Sequence, residues 1–281
     1  MLRVMTDSPT GWRFVNDPGR SNNTVGRDTA WFAYGADYLV PEFSRASLLS
    51  YVRLQEKNGK IVEYYDIRTG KSEDYGLNIN DNTPLLILAL RHHYTTTGDS
   101  DFLKQTYPAA AKAARYIISQ ENDQGLVWCT ATGASDWGII GWRNVIKNYR
   151  LSGATTEVNS ECYVALQTMT HMARVMGKHQ GSAVYQEQAN MLKAAINQHL
   201  RNPDNGLYYL HIDLDGIPCP ELPIAKIWRS QALGGRWRSR RMGSATHARS
   251  CRPAPPGTAS VRPRPSRGRS QRRSGGDRHS L

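Results

Sequence analysis

A row of apolar residues at helical spacing constrains this chain more than any other feature. Over residues 156–176, Val158, Cys162, Ala165, Leu166, Met169, Met172, Ala173 and Met176 recur at i, i+3 and i+4 steps, which gathers them on one helix face. Residues 183–200 repeat the pattern with Val184, Leu192, Ala195, Ile196 and Leu200, and only GKHQGS separates the two stretches. Two amphipathic helices with so short a joint form an antiparallel hairpin. The same reading holds upstream. Residues 41–55 open with Pro41, which suits a first helical turn. Residues 82–96 are apolar nearly all round before His92 and His93, as a buried inner helix would be. Residues 108–120 open on Pro108 and are joined to the previous helix by GDSDFLKQTY. One more helix is expected near 28–39.

Between these hairpins lie two long stretches rich in Gly and aromatic residues, 56–81 and 121–155. Loops of that length are uncommon in a compact domain unless they carry function. A plain bundle has no use for them, whereas an α/α toroid gathers such loops at one mouth. The expected class is therefore all-α: an (α/α)6 toroid of helical hairpins. The six helices legible here amount to about half of a twelve-helix ring.

Composition adds a boundary. From Ile227 to Leu281 there are fourteen Arg, no Lys and one acidic residue, Asp277. Before that point 22 basic residues face 23 acidic ones, so the net charge of +12 arises from the tail alone. Residues 1–226 are expected to be a partial toroid domain, truncated near its midpoint. Residues 227–281 are expected to be a disordered Arg/Ser/Pro-rich tail, because they hold too little apolar surface to offset ordering entropy. The abrupt loss of Lys and Glu, with the rise of residues encoded by GC-rich codons, reads as a frame-shifted segment. A basic arm that binds nucleic acid is the rival reading. Cys129, Cys162, Cys219 and Cys251 show no paired spacing, so neither a zinc site nor a disulfide framework is expected. No run of eighteen apolar residues is present, and MLRVMTDSPTGW does not read as a secretion signal, which points to a cytoplasmic protein without a membrane span.

Four clusters could carry chemistry. The first is Gly26-Arg27-Asp28-Thr29 with Trp31, Phe32, Tyr34 and Asp37. A carboxylate can accept from two sugar hydroxyls, a guanidinium can donate to sugar oxygens, and an aromatic ring can cover a pyranose face. The same Arg and Asp also suit a surface ion pair at a helix start. The second is YGLNINDNTP, residues 75–84, where Asp81 or Asn82 could cap the helix that follows or stand on a substrate shelf. The third is the loop GLVWCTATGASDWGIIGWRN, residues 125–144, whose one carboxylate, Asp136, precedes Trp137. A carboxyl packed on Trp is held toward its neutral form, as a general acid near neutral pH requires. An Asx turn is the plainer use of the same residue. The fourth is Thr155-Thr156-Glu157-Val158-Asn159-Ser160-Glu161. Thr155 or Thr156 can cap, and Glu157 and Glu161 lie one turn apart on one face.

In this order the four clusters resemble the C-terminal glucosidase region of glycogen debranching enzymes, within the α/α-toroid glycosidases that include glucoamylases. Gly26-Arg27-Asp28-Thr29 is similar to that group's Gly-Arg-Asp-Thr, and the resemblance gives Arg27 and Asp28 the non-reducing sugar. Asn80-Asp81-Asn82-Thr83-Pro84 is similar to the Asn-Thr-x-Asp-Ala segment before the second inner helix. Gly125-Leu126-Val127-Trp128 resembles Gly-Leu-Thr-Trp, although Cys129-Thr130 stand where Met and the acid Asp would follow, and the Asp arrives later as Asp136. Glu157-Val158-Asn159 resembles both the Val-Glu-Ile-Asn helix and a Glu-Glu-Val-Asn motif. Under the second alignment the acid position falls on Thr156 and Glu157 becomes a sugar ligand. The resemblance covers about residues 24–222. It implies inverting hydrolysis of an α-glucosidic bond, with one carboxylic acid on the leaving oxygen and a second carboxylate activating water. Asp136 would be the acid, and Arg27, Asp28, Trp31, Asp81, Trp137 and Glu157 would hold an oligo- or polysaccharide. No metal or organic cofactor is implied. The base belongs to later hairpins in that group, so the chain by itself is expected to hydrolyse little. A toroid glycosidase of rhamnosidase or trehalase specificity is the alternative.

Overall fold

The computed structural model describes residues 14–15, 23–66, 69–74, 77–130, 141 and 152–219. Among the described residues six α-helices carry the fold: α1 (Gly26–Ala36), α2 (Pro41–Leu54), α3 (Asn82–Thr97), α4 (Ser100–Ile118), α5 (Thr156–Val175) and α6 (His179–Ala195), the last running into a π turn at Ile196–Leu200. The six pair as consecutive hairpins. Helices α1, α3 and α5 pack side by side as an inner arc, with α2, α4 and α6 behind them. Among the described residues these hairpins show the two-layer arrangement expected of an α/α toroid.

Local chemistry sets the hairpin turns. Gly98, at φ 73°, ends α3 in a left-handed conformation that a residue with a Cβ adopts only at a cost. Asp99 then caps α4, its side chain accepting from the Phe102 N–H at 2.8 Å. That cap corrects the sequence reading of this segment. Helix α4 begins at Ser100, not at Pro108, because Phe102 and Leu103 are buried against the core and Asp99 satisfies the first turn. Pro108 sits inside the helix, where its missing N–H strands a carbonyl one turn back at Lys104. Both residues are exposed, so water can take that carbonyl. The core between the layers is aliphatic, with Leu48, Ile61, Leu77, Ile79, Leu85, Ile87, Leu90 and Leu103 almost wholly buried beside Tyr51 and Phe102.

The segments that flank and join the hairpins hold two small antiparallel sheets that an all-helical reading leaves out. The first joins β1 (Asn23–Val25), β2 (Tyr64–Asp66) and β3 (Ser72–Glu73). The second joins β4 (Ala154–Thr155), β5 (His211–Ile212) and β6 (Pro218–Cys219). Strand β1 runs directly into α1 and β4 directly into α5. The sheets thereby fix the starting points of two inner helices. Val25 pairs with Tyr64, and Thr155 pairs with His211.

Cys129 and Cys162 are buried free thiols, while Cys219 is disulfide-bonded, which the scattered cysteine spacing does not foretell. Among the described residues no helix is long and apolar enough to cross a membrane. Residues 220–281, with the expected boundary at 226 and the Arg-rich tail, lie outside the described residues.

Candidate functional site

The inner helices α1, α3 and α5 start at the same end of the arc, and three of the four sequence clusters sit at those starts. Arg27 is the second residue of α1 and Asp81 immediately precedes α3. The Arg27 Nη2 donates to Asp81 Oδ1 at 2.6 Å, and Nε donates to Oδ2. This forked pairing matches the planar guanidinium to the carboxylate. Asp81 therefore does not cap α3 with its side chain. Its carboxylate is committed to Arg27, which is why the capping expectation fails. Arg27 likewise is no surface ion pair with its neighbour Asp28, since it is 5% exposed and faces away to α3.

A second carboxylate, Glu63, completes this cluster. It lies just before β2 and accepts from Arg27 Nη1 at 3.4 Å, from Asn80 Nδ2 at 2.8 Å and from Asn82 Nδ2. The sequence reading misses Glu63. Its only signal is a lone acid inside the otherwise apolar or aromatic run Ile61-Val62-Glu63-Tyr64-Tyr65. Gly26 is required beside it, because a Cβ there would collide with the Asn82 side-chain amide. The Asn82 Oδ1 is buried with no hydrogen-bond partner among the described residues.

Burial and charge pull these groups in opposite directions. Burial pushes the Glu63 carboxyl up, Arg27 pulls it down and the Asp81 charge pushes it up again, so that it stands at about 7. Asp81 is also raised by burial, which its hydrogen bonds and charge contact with Arg27 oppose and the Glu157 charge reinforces. Burial works against the charged Arg27, but the hydrogen bonds to Asp81 and the charges of Asp81, Glu63 and Asp28 outweigh it and raise its pKa. Glu157, in the first turn of α5, thus acts on the same electrostatic site as the first two helix starts.

The loop that carries the third cluster is fastened at this mouth. Cys129 and Gly153 form a backbone bridge, with the Cys129 N–H on the Gly153 carbonyl at 2.8 Å and the return bond at 2.6 Å. Thr130 is held by Asn78, whose Oδ1 accepts from the Thr130 N–H at 2.7 Å and from its hydroxyl at 3.0 Å. Within the loop, Gly141 is buried against the Glu157 carboxylate so closely that a Cβ would overlap it. Asp136 and Trp137 themselves lie outside the described residues.

Asn159 has a structural task. Its Oδ1 accepts from the Val127 N–H at 2.8 Å, and its Nδ2 donates to the carbonyls of Val127 at 3.0 Å and Thr155 at 2.9 Å. The Glu-Val-Asn motif thus ties the Gly-Leu-Val-Trp segment to the start of α5. Neither threonine there acts as a side-chain cap: the Thr156 hydroxyl donates instead to the Tyr209 carbonyl at 2.6 Å. Asp28 is half-buried in the first turn of α1, where its charge reaches Arg27. Trp31 is 55% exposed further along α1, stacked at a tilt on Tyr34 with ring centres 5.6 Å apart. The structure therefore joins Arg27, Asp81 and Glu157, leaves Asp28 beside them, and sets Trp31 on an outer face of the same helix. Among the described residues no group of three or more His, Cys, Asp or Glu side chains could hold a metal ion.

Residues 57–215 match the family described as the bacterial alpha-L-rhamnosidase 6 hairpin glycosidase domain. Solved structures agree in fold. A rhamnosidase of family GH78 from Bacillus sp. GL1 superposes with a TM-score of 0.61 at 19% identity, covering 74% of this chain and 20% of its own. A rhamnosidase from Klebsiella oxytoca with rhamnose bound gives 0.56 at 15% identity, covering 77% of this chain and 40% of its own. An uncharacterised conserved protein from Thermus thermophilus gives 0.55 at 12% identity, covering 70% of this chain and 61% of its own. This chain thus spans a fifth to three-fifths of the length of these proteins. No curated protein matches it in sequence.

Proposed function

Since the chain belongs to the six-hairpin glycosidase domain family of the bacterial α-L-rhamnosidases, we propose that the mouth of its inner arc is the sugar-binding side of a glycoside hydrolase. The observation that carries this reading is the meeting of Arg27, Asp81 and Glu157 at three helix starts, with the Cys129–Gly153 bridge and Gly141 packed beside Glu157. Burial raises two carboxyls there, which marks a site where proton affinity is tuned.

In this reading the guanidinium and carboxylates of the mouth hold hydroxyls of a terminal sugar. Asp28 and Glu157, each partly accessible, are the groups that touch it, while Arg27 and Asp81 form the floor. Asp136 is the general acid that protonates the leaving oxygen, and Trp137 covers the sugar ring beside it. Inverting hydrolysis needs a second carboxylate about 6.5–9.5 Å away on the other side of the ring. The resemblance to debranching enzymes implies that such a base belongs to hairpins later than the three described.

The family match favours a terminal α-L-rhamnoside as substrate. An α-glucosidic substrate of the debranching type is the second reading, favoured by Gly26-Arg27-Asp28-Thr29 and Glu157-Val158-Asn159. A binding panel of L-rhamnose, D-glucose and isomaltose separates the two. Saturable binding of one sugar that weakens in Asp28→Ala and Glu157→Gln supports the site. Equal and unsaturable response to every sugar contradicts it.

A further inference from the structure

Glu63 belongs to none of the motifs that suggest a sugar site, yet it contacts more of the mouth than any of them. Its backbone carbonyl accepts from the Gly26 N–H at 2.9 Å and so fixes the first residue of α1. Its side chain receives donors from both inner-helix starts nearest to it: Arg27 from α1, and Asn80 and Asn82 from the beginning of α3. At 2% exposure it is too deep to meet a ligand directly.

We infer that Glu63 is a positioning residue of this mouth, setting the orientation of Arg27 and of the Asn80 and Asn82 amides that form its floor. The inference rests on the sugar-site reading above. Three N–H donors converge on one carboxylate, and each is best satisfied by an anion. Replacing Glu63 by Gln keeps the size but turns one oxygen into an NH2 group. That group would face a donor, leaving a buried N–H unpaired. The charged and titratable groups that share the field of Glu63 are Arg27 on α1, Asp81 before α3 and Tyr51 on α2, with Asp28 acting on Arg27 and Tyr51 and with Tyr65 acting on Tyr51. Its carboxyl titrates at about 7, so the donors gain their anion as the pH rises through neutrality.

The test compares the wild-type chain with Glu63→Gln and Arg27→Ala. L-rhamnose affinity is measured from about pH 5.5 to about pH 8.5, and circular dichroism shows that each variant folds. Wild-type affinity is expected to tighten as pH rises past 7. In Glu63→Gln the pH profile is expected to be flat, with affinity at the high end weaker on the order of tenfold. A Glu63→Gln profile that follows the wild type would overturn the inference. The resonance of the Arg27 Nη1–H, the donor that faces Glu63, is recorded without sugar as a second readout. It is expected to titrate near pH 7 in the wild type and not in Glu63→Gln, and identical titrations in both also overturn the inference. If no sugar binds, or if Arg27→Ala binds as the wild type does, the sugar-site reading fails, and the resonance still decides whether Glu63 positions Arg27.

Discussion

The guanidinium of Arg27 lies edge to edge with the carboxylate of Asp81, 54 residues away in sequence, with Nη2 on Oδ1 at 2.6 Å and Nε on Oδ2. The two side chains are 7% and 1% exposed, so the pair is an internal fastening between α1 and the start of α3. A surface pair of the same geometry would contribute little. Here the consequence of breaking it is larger, because whichever partner remains is a buried charge.

Asp81→Ala is accordingly expected to lower stability by about 3–5 kcal/mol, the range for removing one partner of a buried pair. Arg27→Lys keeps the charge but loses the fork, and is expected to cost less. Urea denaturation of the two variants checks the order. A loss below about 1 kcal/mol for Asp81→Ala would place this pair with surface ion pairs.

Glu121 makes a pH prediction with a single cause. Burial alone raises its carboxyl to about 7, and its Oε1 is buried with no hydrogen-bond partner among the described residues. An acid whose folded pKa lies above its unfolded value favours the folded state at low pH, and that contribution is lost as pH rises through the folded value. Glu121→Gln is therefore expected to leave stability near pH 5 unchanged and to raise it by about 1 kcal/mol near pH 8, discounted for partial exposure. Thermal melts at the two pH values measure it. A variant equally stable relative to wild type at both would contradict the assignment.

Asn159 closes three backbone groups at the start of α5. Asn159→Ala removes the partner of the Val127 N–H and of the Val127 carbonyl in a dry interior, with an expected loss of about 2–3 kcal/mol. Amide exchange would also quicken at Val127, and unchanged protection there would show that the clamp is dispensable.

Gly141 tests the loop. A Cβ there would overlap the Glu157 carboxylate, so Gly141→Ala must push the loop or Glu157 aside. Sugar affinity is expected to fall severalfold with little change in melting temperature, since the strain falls on the mouth and not on the core. Unaltered affinity would separate this loop from the site.

The helices were legible because burial imposes its period on sequence. The rows on 82–96 and 156–176 became α3 and α5, both inner helices, and Pro41 opened α2. The start of α4 was not, since a helix-compatible proline at Pro108 is a weaker signal than the Asp99 cap upstream of it. At the site, the residue types were legible and their partners were not. Arg27 reads as the partner of adjacent Asp28, and Asp81 reads as a cap. Only tertiary packing turns the two toward each other. Glu63 escaped because a buried acid in a strand-like apolar run has no motif, and its meaning comes entirely from the Arg27, Asn80 and Asn82 side chains that face it.

The central claim is that the converging starts of α1, α3 and α5 form a sugar site. The most direct measurement is a titration of the isotopically labelled chain with L-rhamnose, followed by amide chemical shifts. The account predicts saturable shifts at Gly26–Asp28, Asn80–Asn82 and Thr156–Glu157, absent in Arg27→Ala. Saturable shifts confined to other surfaces, or none at any of these three helix starts, would contradict it.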